Sequence, residues 1–172
     1  MIAEKVQEIR RRMAQAALAA GRRPEEILLC AATKRNDAER VRQAVAAVHA
    51  GWRGTAQGVD CCGENRVQEL VQKSAEHAYD GAPVHFIGHL QTNKVRQVVG
   101  RVSLIQSVDR TELLECIERE AGRQGVVQDI LLEINVAAEE SKSGFAPEQA
   151  PEIAAHMGEF PHCRLRGLMA IP

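Results

Sequence analysis

The stretch Leu28-Leu29-Cys30-Ala31-Ala32-Thr33-Lys34 decides the fold of this chain. It is a short apolar run that ends on one lysine, and a turn followed by a helix start comes directly after it. We therefore predict a β-strand over residues 27–34. Alternation along that strand would place four residues on one face: Leu28, Cys30, Ala32 and Lys34. Because ligands bind at the carboxyl ends of strands in α/β folds, Lys34 would lie at a binding edge.

Lys34 has two interpretations at this point. Its long side chain can extend from a strand end into solvent, as most lysine side chains do. Alternatively, an amine that is partly shielded from water is a nucleophile for carbonyl groups and can form a Schiff base with an aldehyde. The position of the residue is compatible with both.

The composition is that of an ordinary globular protein. The 172 residues are 45% hydrophobic and 26% charged, which is enough for one domain with a substantial core. A net charge of −1 and an aromatic content of 3% argue against nucleic-acid and acidic-membrane partners. The N-terminal segment has the pattern of a charged amphipathic helix, which differs from a signal peptide. The five cysteines follow no Cys-x-x-Cys spacing, which predicts a reduced, cytoplasmic protein.

Apolar runs and amphipathic segments alternate along the whole chain. A helix predicted over residues 2–20 precedes strands that begin near residues 27, 59, 84, 102, 129 and 165. This alternation predicts a parallel sheet with helices outside it. Six strands fit a doubly wound open sheet, whereas a (β/α)8 barrel needs eight strands and normally about 250 residues. Counting alone therefore favours the open sheet, although neither a Gly-x-Gly-x-x-Gly nor a Walker A sequence supports nucleotide binding.

Four predicted helices begin near a polar residue that could cap them. The candidate pairs are Asn36 with Glu39, Asn65 with Gln68 and Asp109 with Glu112, and Thr92 precedes a short helix. These residues also follow predicted strands, where a parallel fold collects its ligand-binding groups. For Asp109 and Thr92 we favour helix capping, and for Asn65 both interpretations stay open.

Further polar groups follow the predicted strands: Glu64, His89, Ser107, Asn135 and a thioether at Met169. A metal site is disfavoured, because His85 and His89 would be about 13 Å apart along a strand. The adjacent Cys61 and Cys62 would point to opposite faces. A serine hydrolase is also disfavoured, because the chain has no Gly-x-Ser-x-Gly sequence.

Three further segments have simple interpretations. The triplet Arg10-Arg11-Arg12 is predicted to be the solvated face of the first helix. The glycine-rich segment over residues 49–58, which contains Trp52, is predicted to be a surface loop. Lys142 lies in a polar loop at the predicted ligand edge, so it is either a loop charge or a contact to phosphate or substrate.

Seven segments, in order along the chain, resemble those of one family. They are Ala32-Thr33-Lys34, Cys62-Gly63-Glu64-Asn65-Arg66-Val67-Gln68-Glu69, His85-Phe86-Ile87-Gly88-His89-Leu90-Gln91-Thr92-Asn93-Lys94, Ser107-Val108-Asp109, Glu133-Ile134-Asn135-Val136, Lys142-Ser143-Gly144 and Arg166-Gly167-Leu168-Met169-Ala170-Ile171-Pro172. The match covers about residues 2–172. By these residues the chain is similar to the pyridoxal phosphate homeostasis protein family, which is related to the N-terminal barrel domain of alanine racemase.

The resemblance implies an α/β fold of the (β/α)8 TIM-barrel type, with pyridoxal 5'-phosphate on Lys34 as an internal aldimine. It also implies that Asn65, Met169 and Lys142 bind the cofactor. Such proteins bind, buffer and hand over pyridoxal phosphate in vitamin B6 homeostasis without catalysis, so apoenzymes that depend on this cofactor are implied partners. The alternative is a racemase-like enzyme that depends on pyridoxal phosphate. It would need a second acid–base group, and the single tyrosine, Tyr79, is predicted in a loop at the opposite end of the barrel.

The chain departs from the family in two places. Asn36 stands where the family often has a second lysine, which puts a transfer role at that position in doubt. Family members also continue past the Met-Ala-Ile-Pro segment into two further βα units that hold the cofactor phosphate. We therefore expect residues 1–172 to form a single pyridoxal-phosphate-binding domain with about six of eight βα units. We also expect exposed parallel strand edges and weak cofactor binding.

Overall fold

The computed structural model describes residues 1–46, 58–137 and 143–171. The strands are β1 (Cys30–Ala32), β2 (Cys61–Glu64), β3 (Val84–Phe86), β4 (Leu104–Val108), β5 (Gln128–Glu133) and β6 (Cys163–Met169). The α-helices are α1 (Ile2–Ala19), α2 (Ala38–Ala46), α3 (Val67–Ala75), α4 (Thr111–Gln124) and α5 (Gln149–Ala155). Short 3-10 helices span Pro24–Glu26, Thr92–Gln97 and Met157–Glu159. Among the described helices, none has the length and apolar character that a membrane crossing requires.

The six strands form one sheet in the order β1-β2-β3-β4-β5-β6. The pairs β1–β2, β3–β4, β4–β5 and β5–β6 are all parallel, which confirms the prediction from the βα alternation. An open doubly wound sheet reverses its strand order at a switch point, whereas a barrel adds each strand beside the previous one. The sequential order is therefore of the barrel type, and the preference for an open sheet from strand counting was wrong.

The predicted strand over residues 27–34 is longer than the observed one. Only Cys30, Ala31 and Ala32 pair with β2, and Leu28 before them is 63% exposed. Lys34 lies in a turn, where Arg35 adopts a φ of 63°. A left-handed residue cannot continue a strand, so the prediction that Lys34 shares a strand face with Leu28 was wrong.

The chain divides into two compact units, which are described separately. The first unit consists of Met1–Glu64 and Gln68–Val84. Its buried apolar side chains come from the helices, from β2 and from the turn after α3: Val6, Val41, Val45, Cys62, Leu70 and Tyr79. Val41 and Val45 of α2 lie four positions apart on one helical face, as helical spacing predicts for an inward stripe.

The second unit consists of Asn65–Val67 and His85–Pro172. Its core joins alternate residues of the strands to one face of α4: Phe86, Ile105, Leu113, Leu114, Ile117, Ile130 and Leu132. Alternate residues are buried through Ile134, but Val136 is 54% exposed because β5 ends at Glu133. The expectation of a single domain over residues 1–172 stays a prediction.

The predicted helix caps at Asn36 and Thr92 were wrong. Helix α2 is capped by Asp37, whose Oδ1 accepts a hydrogen bond from the Arg40 amide at 2.8 Å. Asn36 instead donates from Nδ2 to the Lys34 carbonyl at 3.1 Å. Gln91, which makes no side-chain cap, precedes the 3-10 helix that begins at Thr92. Most of the glycine-rich segment around Trp52 lies outside the described residues.

Arg10 is not part of a solvated helix face, contrary to the prediction. Its Nη2 lies 2.5 Å from Asp60 Oδ2, and the two side chains are only 12% and 9% exposed. Its Nε donates to the Gly58 carbonyl at 2.7 Å, and Asp60 Oδ2 also accepts from the Leu29 amide. Arg10 therefore ties α1 to the chain segments that enter β1 and β2.

Replacing Arg10 by methionine should destabilise the chain by about 3 kcal/mol, because the largely buried Asp60 carboxylate loses its cation. Urea unfolding of Arg10→Met measures this loss. Arg12→Met is the matched control, because Arg12 is an exposed residue of the same helix. Equal unfolding midpoints for the two variants would contradict the prediction.

Candidate functional site

Lys34 lies directly after β1, and its side chain is exposed. The backbone on both sides of it is held by hydrogen bonds. The Thr33 amide donates to the Gly63 carbonyl at 2.9 Å, and the Asn36 amide donates to the Thr33 carbonyl at 3.2 Å. The Arg35 amide donates to Glu69 Oε2 at 2.9 Å. A fixed turn therefore carries an amine that reaches solvent.

The buried carboxylate of Glu64 lies at the centre of the contacts behind this turn. Glu64 is the last residue of β2 and is completely buried. Its Oε1 accepts three hydrogen bonds: from Thr33 Oγ1 at 2.6 Å, from Tyr79 Oη at 2.7 Å and from Lys73 Nζ at 2.8 Å. Its Oε2 is buried without a hydrogen-bond partner among the described residues. One oxygen thus joins the residue after β1, helix α3 and the turn after α3.

Tyr79 belongs to this buried cluster, so the prediction that it lies at the opposite end from Lys34 was wrong. Its hydroxyl and the Thr33 hydroxyl donate to the same Glu64 oxygen. Burial raises the pKa of Tyr79, and the hydrogen bond to the Glu64 carboxylate raises it further. A phenol with a raised pKa stays protonated at neutral pH, so Tyr79 is poorly suited to act as a base.

Asn65 does not cap helix α3, which begins at Val67. Its Oδ1 is buried and, among the residues described, has no hydrogen-bond partner. A Cβ added at Gly88 would lie 2.3 Å from the Asn65 carbonyl oxygen and 2.6 Å from its Cα. Gly88 therefore lets two backbone segments approach closely. The Asn65 side-chain oxygen could accept a hydrogen bond from an outside donor such as a ligand or water.

Asp109 does not cap helix α4 either. The cap position belongs to Arg110, which makes no side-chain cap, and the Asp109 carboxylate instead contacts the Arg110 guanidinium and the His89 ring. Its Oδ2 lies 3.2 Å from His89 Nδ1, and its Oδ1 lies 2.5 Å from Arg110 Nη1. The Asp109 side chain is 5% exposed, whereas His89 is 56% exposed. The His89 ring and the neighbouring Arg110 side chain thus take the place of helix amides as partners of this carboxylate.

Glu133 and Ser107 complete the polar groups at the carboxyl ends of β4 and β5. Burial raises the pKa of Glu133, and the negative charge of Asp109 raises it further, while His89 acts in the opposite direction. Ser107 Oγ donates to the Gly88 carbonyl at 2.5 Å. In the second unit, the strand ends therefore bring Asp109 and His89 close enough to Glu133 to affect its pKa.

Met169, another predicted site residue, lies beside the end of β5. Met169 is the last residue of β6, is half-buried, and its carbonyl accepts from the Ile134 amide at 2.8 Å. Lys142 lies outside the described residues. Gly144 has a φ of 124°, and a Cβ there would lie 2.7 Å from the Asn135 amide nitrogen. Only glycine allows this return of the chain along the end of β5.

Replacing Gly88 by alanine should destabilise the chain by about 2 kcal/mol or more, because the new methyl group overlaps the Asn65 backbone. Gly158→Ala is the matched control, because a Cβ at Gly158 meets nothing within 4 Å. The control should change stability by less than about 1 kcal/mol. Urea unfolding of both variants tests this, and a tolerated Gly88→Ala would show that the two segments can separate.

Replacing Glu133 by glutamine should stabilise the chain at about pH 7 but not near pH 4. The folded state raises the pKa of Glu133, so the stability linked to its protonated form is present below its unfolded pKa. That stability is lost as the pH rises through the folded pKa. The glutamine variant avoids this loss because glutamine cannot ionise. Unfolding midpoints at both pH values measure the difference, with the exposed Glu115→Gln as control. A gain that does not grow with pH would contradict the assignment.

Comparison with known proteins places this geometry in a family. Residues 7–172 match the family model described as alanine racemase, N-terminal domain. The pyridoxal phosphate homeostasis protein of Pseudomonas aeruginosa is 39% identical over 173 residues, which cover 99% of this chain and 70% of that protein. The protein of the same name from Aquifex aeolicus is 44% identical over 115 residues, which cover 67% of this chain and 50% of that protein.

A solved structure gives the same result. PipY of Synechococcus elongatus, in a structure with PLP bound, is 29% identical to this chain with a TM-score of 0.73. The alignment covers 100% of this chain and 71% of that chain. The resemblance inferred from the seven sequence segments is thereby confirmed. The chain belongs to the alanine racemase N-terminal domain family, and within it to the pyridoxal phosphate homeostasis proteins.

Proposed function

We propose that this chain holds pyridoxal 5'-phosphate on Lys34 and serves vitamin B6 homeostasis in the cytoplasm without catalysing a reaction. The observation that carries the proposal is the exposed Lys34 amine on a turn whose neighbours, Thr33 and Arg35, are both held by hydrogen bonds. The names of the relatives and the PLP-bound PipY structure support the choice of ligand.

The residues present fit the aldehyde end of this cofactor. Pyridoxal phosphate supplies an aldehyde that is reactive toward amines. Lys34 Nζ would bond to the aldehyde carbon as a Schiff base, and the aldehyde oxygen would leave as water. Because the turn is fixed while the amine reaches solvent, the amine needs little reorganisation to react.

Asn65, Met169 and Lys142 are proposed as further contacts to the cofactor. The buried Asn65 Oδ1, which lacks a partner within the described ranges, supports a role as hydrogen-bond acceptor. Met169 stands at the carboxyl end of β6, where a parallel sheet binds its ligands. The proposal for Lys142 rests on its segment, Lys142-Ser143-Gly144, which resembles the family.

A non-catalytic role is supported by the state of Tyr79. A racemase-like mechanism needs a second group that exchanges protons with the substrate. The single tyrosine donates its hydroxyl proton to Glu64 Oε1, and its pKa is raised. We infer that the bound cofactor is stored and passed to apoenzymes that depend on it, because a Schiff base exchanges reversibly with other amines.

Lys34→Ala should abolish the yellow absorption band that forms when the purified chain is titrated with pyridoxal 5'-phosphate. The reason is that alanine leaves no amine to trap the aldehyde at this position. Borohydride reduction followed by peptide mapping should place the cofactor on Lys34 in the parent chain. Lys5→Ala removes an exposed lysine of α1 and is the matched control, which should keep the band.

Unchanged cofactor capture by Lys34→Ala would defeat the proposed site. The parent chain, loaded with pyridoxal phosphate, should not interconvert L- and D-alanine. Turnover that requires Lys34 would favour the racemase-like alternative instead.

A further inference from the structure

A buried ion pair between Lys73 and Glu64 lies behind the turn that carries Lys34. We propose that this pair is a positioning device for Lys34: it fixes the turn over residues 33–35, so that the amine is presented in one orientation. The inference rests on the proposed function, in which Lys34 holds the cofactor. It assigns a role to two residues that do not themselves react with an aldehyde.

Lys73 uses all of its hydrogen-bonding capacity in this cluster. Its ammonium has three protons, and its Nζ donates to the Thr33 carbonyl at 2.8 Å, to Glu64 Oε1 at 2.8 Å and to Glu69 Oε2 at 3.2 Å. The residue is 5% exposed. Three acceptors in fixed directions hold this ammonium far more rigidly than a single ion pair would.

Two of these three acceptors lead directly to the neighbours of Lys34. The Thr33 carbonyl is bonded to Lys73 itself, and it belongs to the residue before Lys34. Glu69 Oε2, the second acceptor, also accepts from the amide of Arg35, the residue after Lys34. Lys73 therefore restrains the turn from both ends, and the left-handed φ of 63° at Arg35 is held by this restraint.

Glu64 adds a second restraint through the Thr33 side chain. Thr33 is 5% exposed, and its hydroxyl donates to Glu64 Oε1 at 2.6 Å. Glu64 is held in turn by Lys73 and Tyr79 on the same oxygen. The Thr33 hydroxyl is thus the shortest link between the buried charge and the turn, and it can be removed without changing the shape of the side chain.

Stability alone does not account for the pair. Replacing a buried ion pair by apolar residues of similar volume is often neutral or stabilising, because both charges must be taken out of water. A rigid polar cluster does, however, specify one arrangement of the backbone around it. The two lysines consequently differ in availability: Lys73 is buried and saturated, whereas Lys34 is exposed.

The test uses the complete chain with four variants. Thr33→Val removes the hydroxyl, whereas Thr33→Ser keeps it. Lys73→Met removes the buried ammonium, and Lys5→Met removes an exposed one as the matched control. Each protein is titrated with pyridoxal 5'-phosphate and with pyridoxine 5'-phosphate, which lacks the aldehyde. Hydrogen exchange of the Arg35 and Asn36 amides, and acetylation of Lys34 by acetic anhydride, are measured without any ligand.

A positioning role predicts that the variants weaken binding of pyridoxal phosphate but not binding of pyridoxine phosphate. Thr33→Val and Lys73→Met should weaken capture of pyridoxal phosphate about tenfold or more, since a small misplacement of a reacting group can cost on the order of a hundredfold. Pyridoxine phosphate should bind within about twofold of the parent chain, because it makes no bond to Lys34. The Arg35 and Asn36 amides should exchange faster in Thr33→Val and Lys73→Met. Thr33→Ser should match the parent chain in pyridoxal phosphate capture and in amide exchange.

Two results would overturn the inference. One is capture of pyridoxal phosphate by both variants within about twofold of the parent, with unchanged amide exchange. The other is equal weakening of both ligands, which would indicate a merely structural role. If the parent chain never carries cofactor on Lys34, the proposed function fails. Amide exchange and Lys34 acetylation in the ligand-free variants still decide whether the pair orders the turn.

Discussion

The three hydrogen bonds to one oxygen of Glu64 are the interaction on which the candidate site depends. They come from Thr33 directly after β1, from α3 and from the turn after α3, so one buried carboxylate joins three parts of the first unit. A buried charge is tolerable only when it is paired and hydrogen-bonded, and the ammonium of Lys73 meets that requirement. The geometry around Thr33 follows, because its hydroxyl and its carbonyl are bonded to Glu64 and Lys73 respectively.

This arrangement gives two lysines two tasks that one lysine could not perform at the same time. A lysine that orders a backbone must be buried and saturated with acceptors, as Lys73 is. A lysine that traps an aldehyde must reach the ligand, as the exposed Lys34 can. Tyr79 supports the first task by donating to Glu64, which raises its pKa and removes it as a base. The proposed storage function needs a held aldehyde and no proton exchange with a substrate, and these residues supply that combination.

Sequence patterns succeeded for the order of the helices and strands and failed for the partners of individual polar side chains. The helices and the six strands were predicted in the right order, because periodicity and turn residues determine them within a few positions. The caps at Asn36 and Asp109 were predicted from the same kind of local spacing and were wrong. For Asn65, capping was one of two open interpretations, and its side-chain oxygen caps no helix amide. At Asp109 the competing partners are the His89 ring and Arg110, which a capping pattern does not include. Arg10 was assigned to solvent because Asp60, its partner, is 50 positions away.

The sequence by itself determined the βα alternation, the position of Lys34 after the first strand and the family to which the chain belongs. Those features depend on the residues of single segments and on their order. The tertiary structure decided that the sheet keeps sequential strand order, that β1 ends at Ala32, and that Glu64, Lys73 and Tyr79 form one buried cluster. The physical reason is that a hydrogen bond between buried side chains depends on which elements pack together, and packing brings together residues that no spacing along the chain relates.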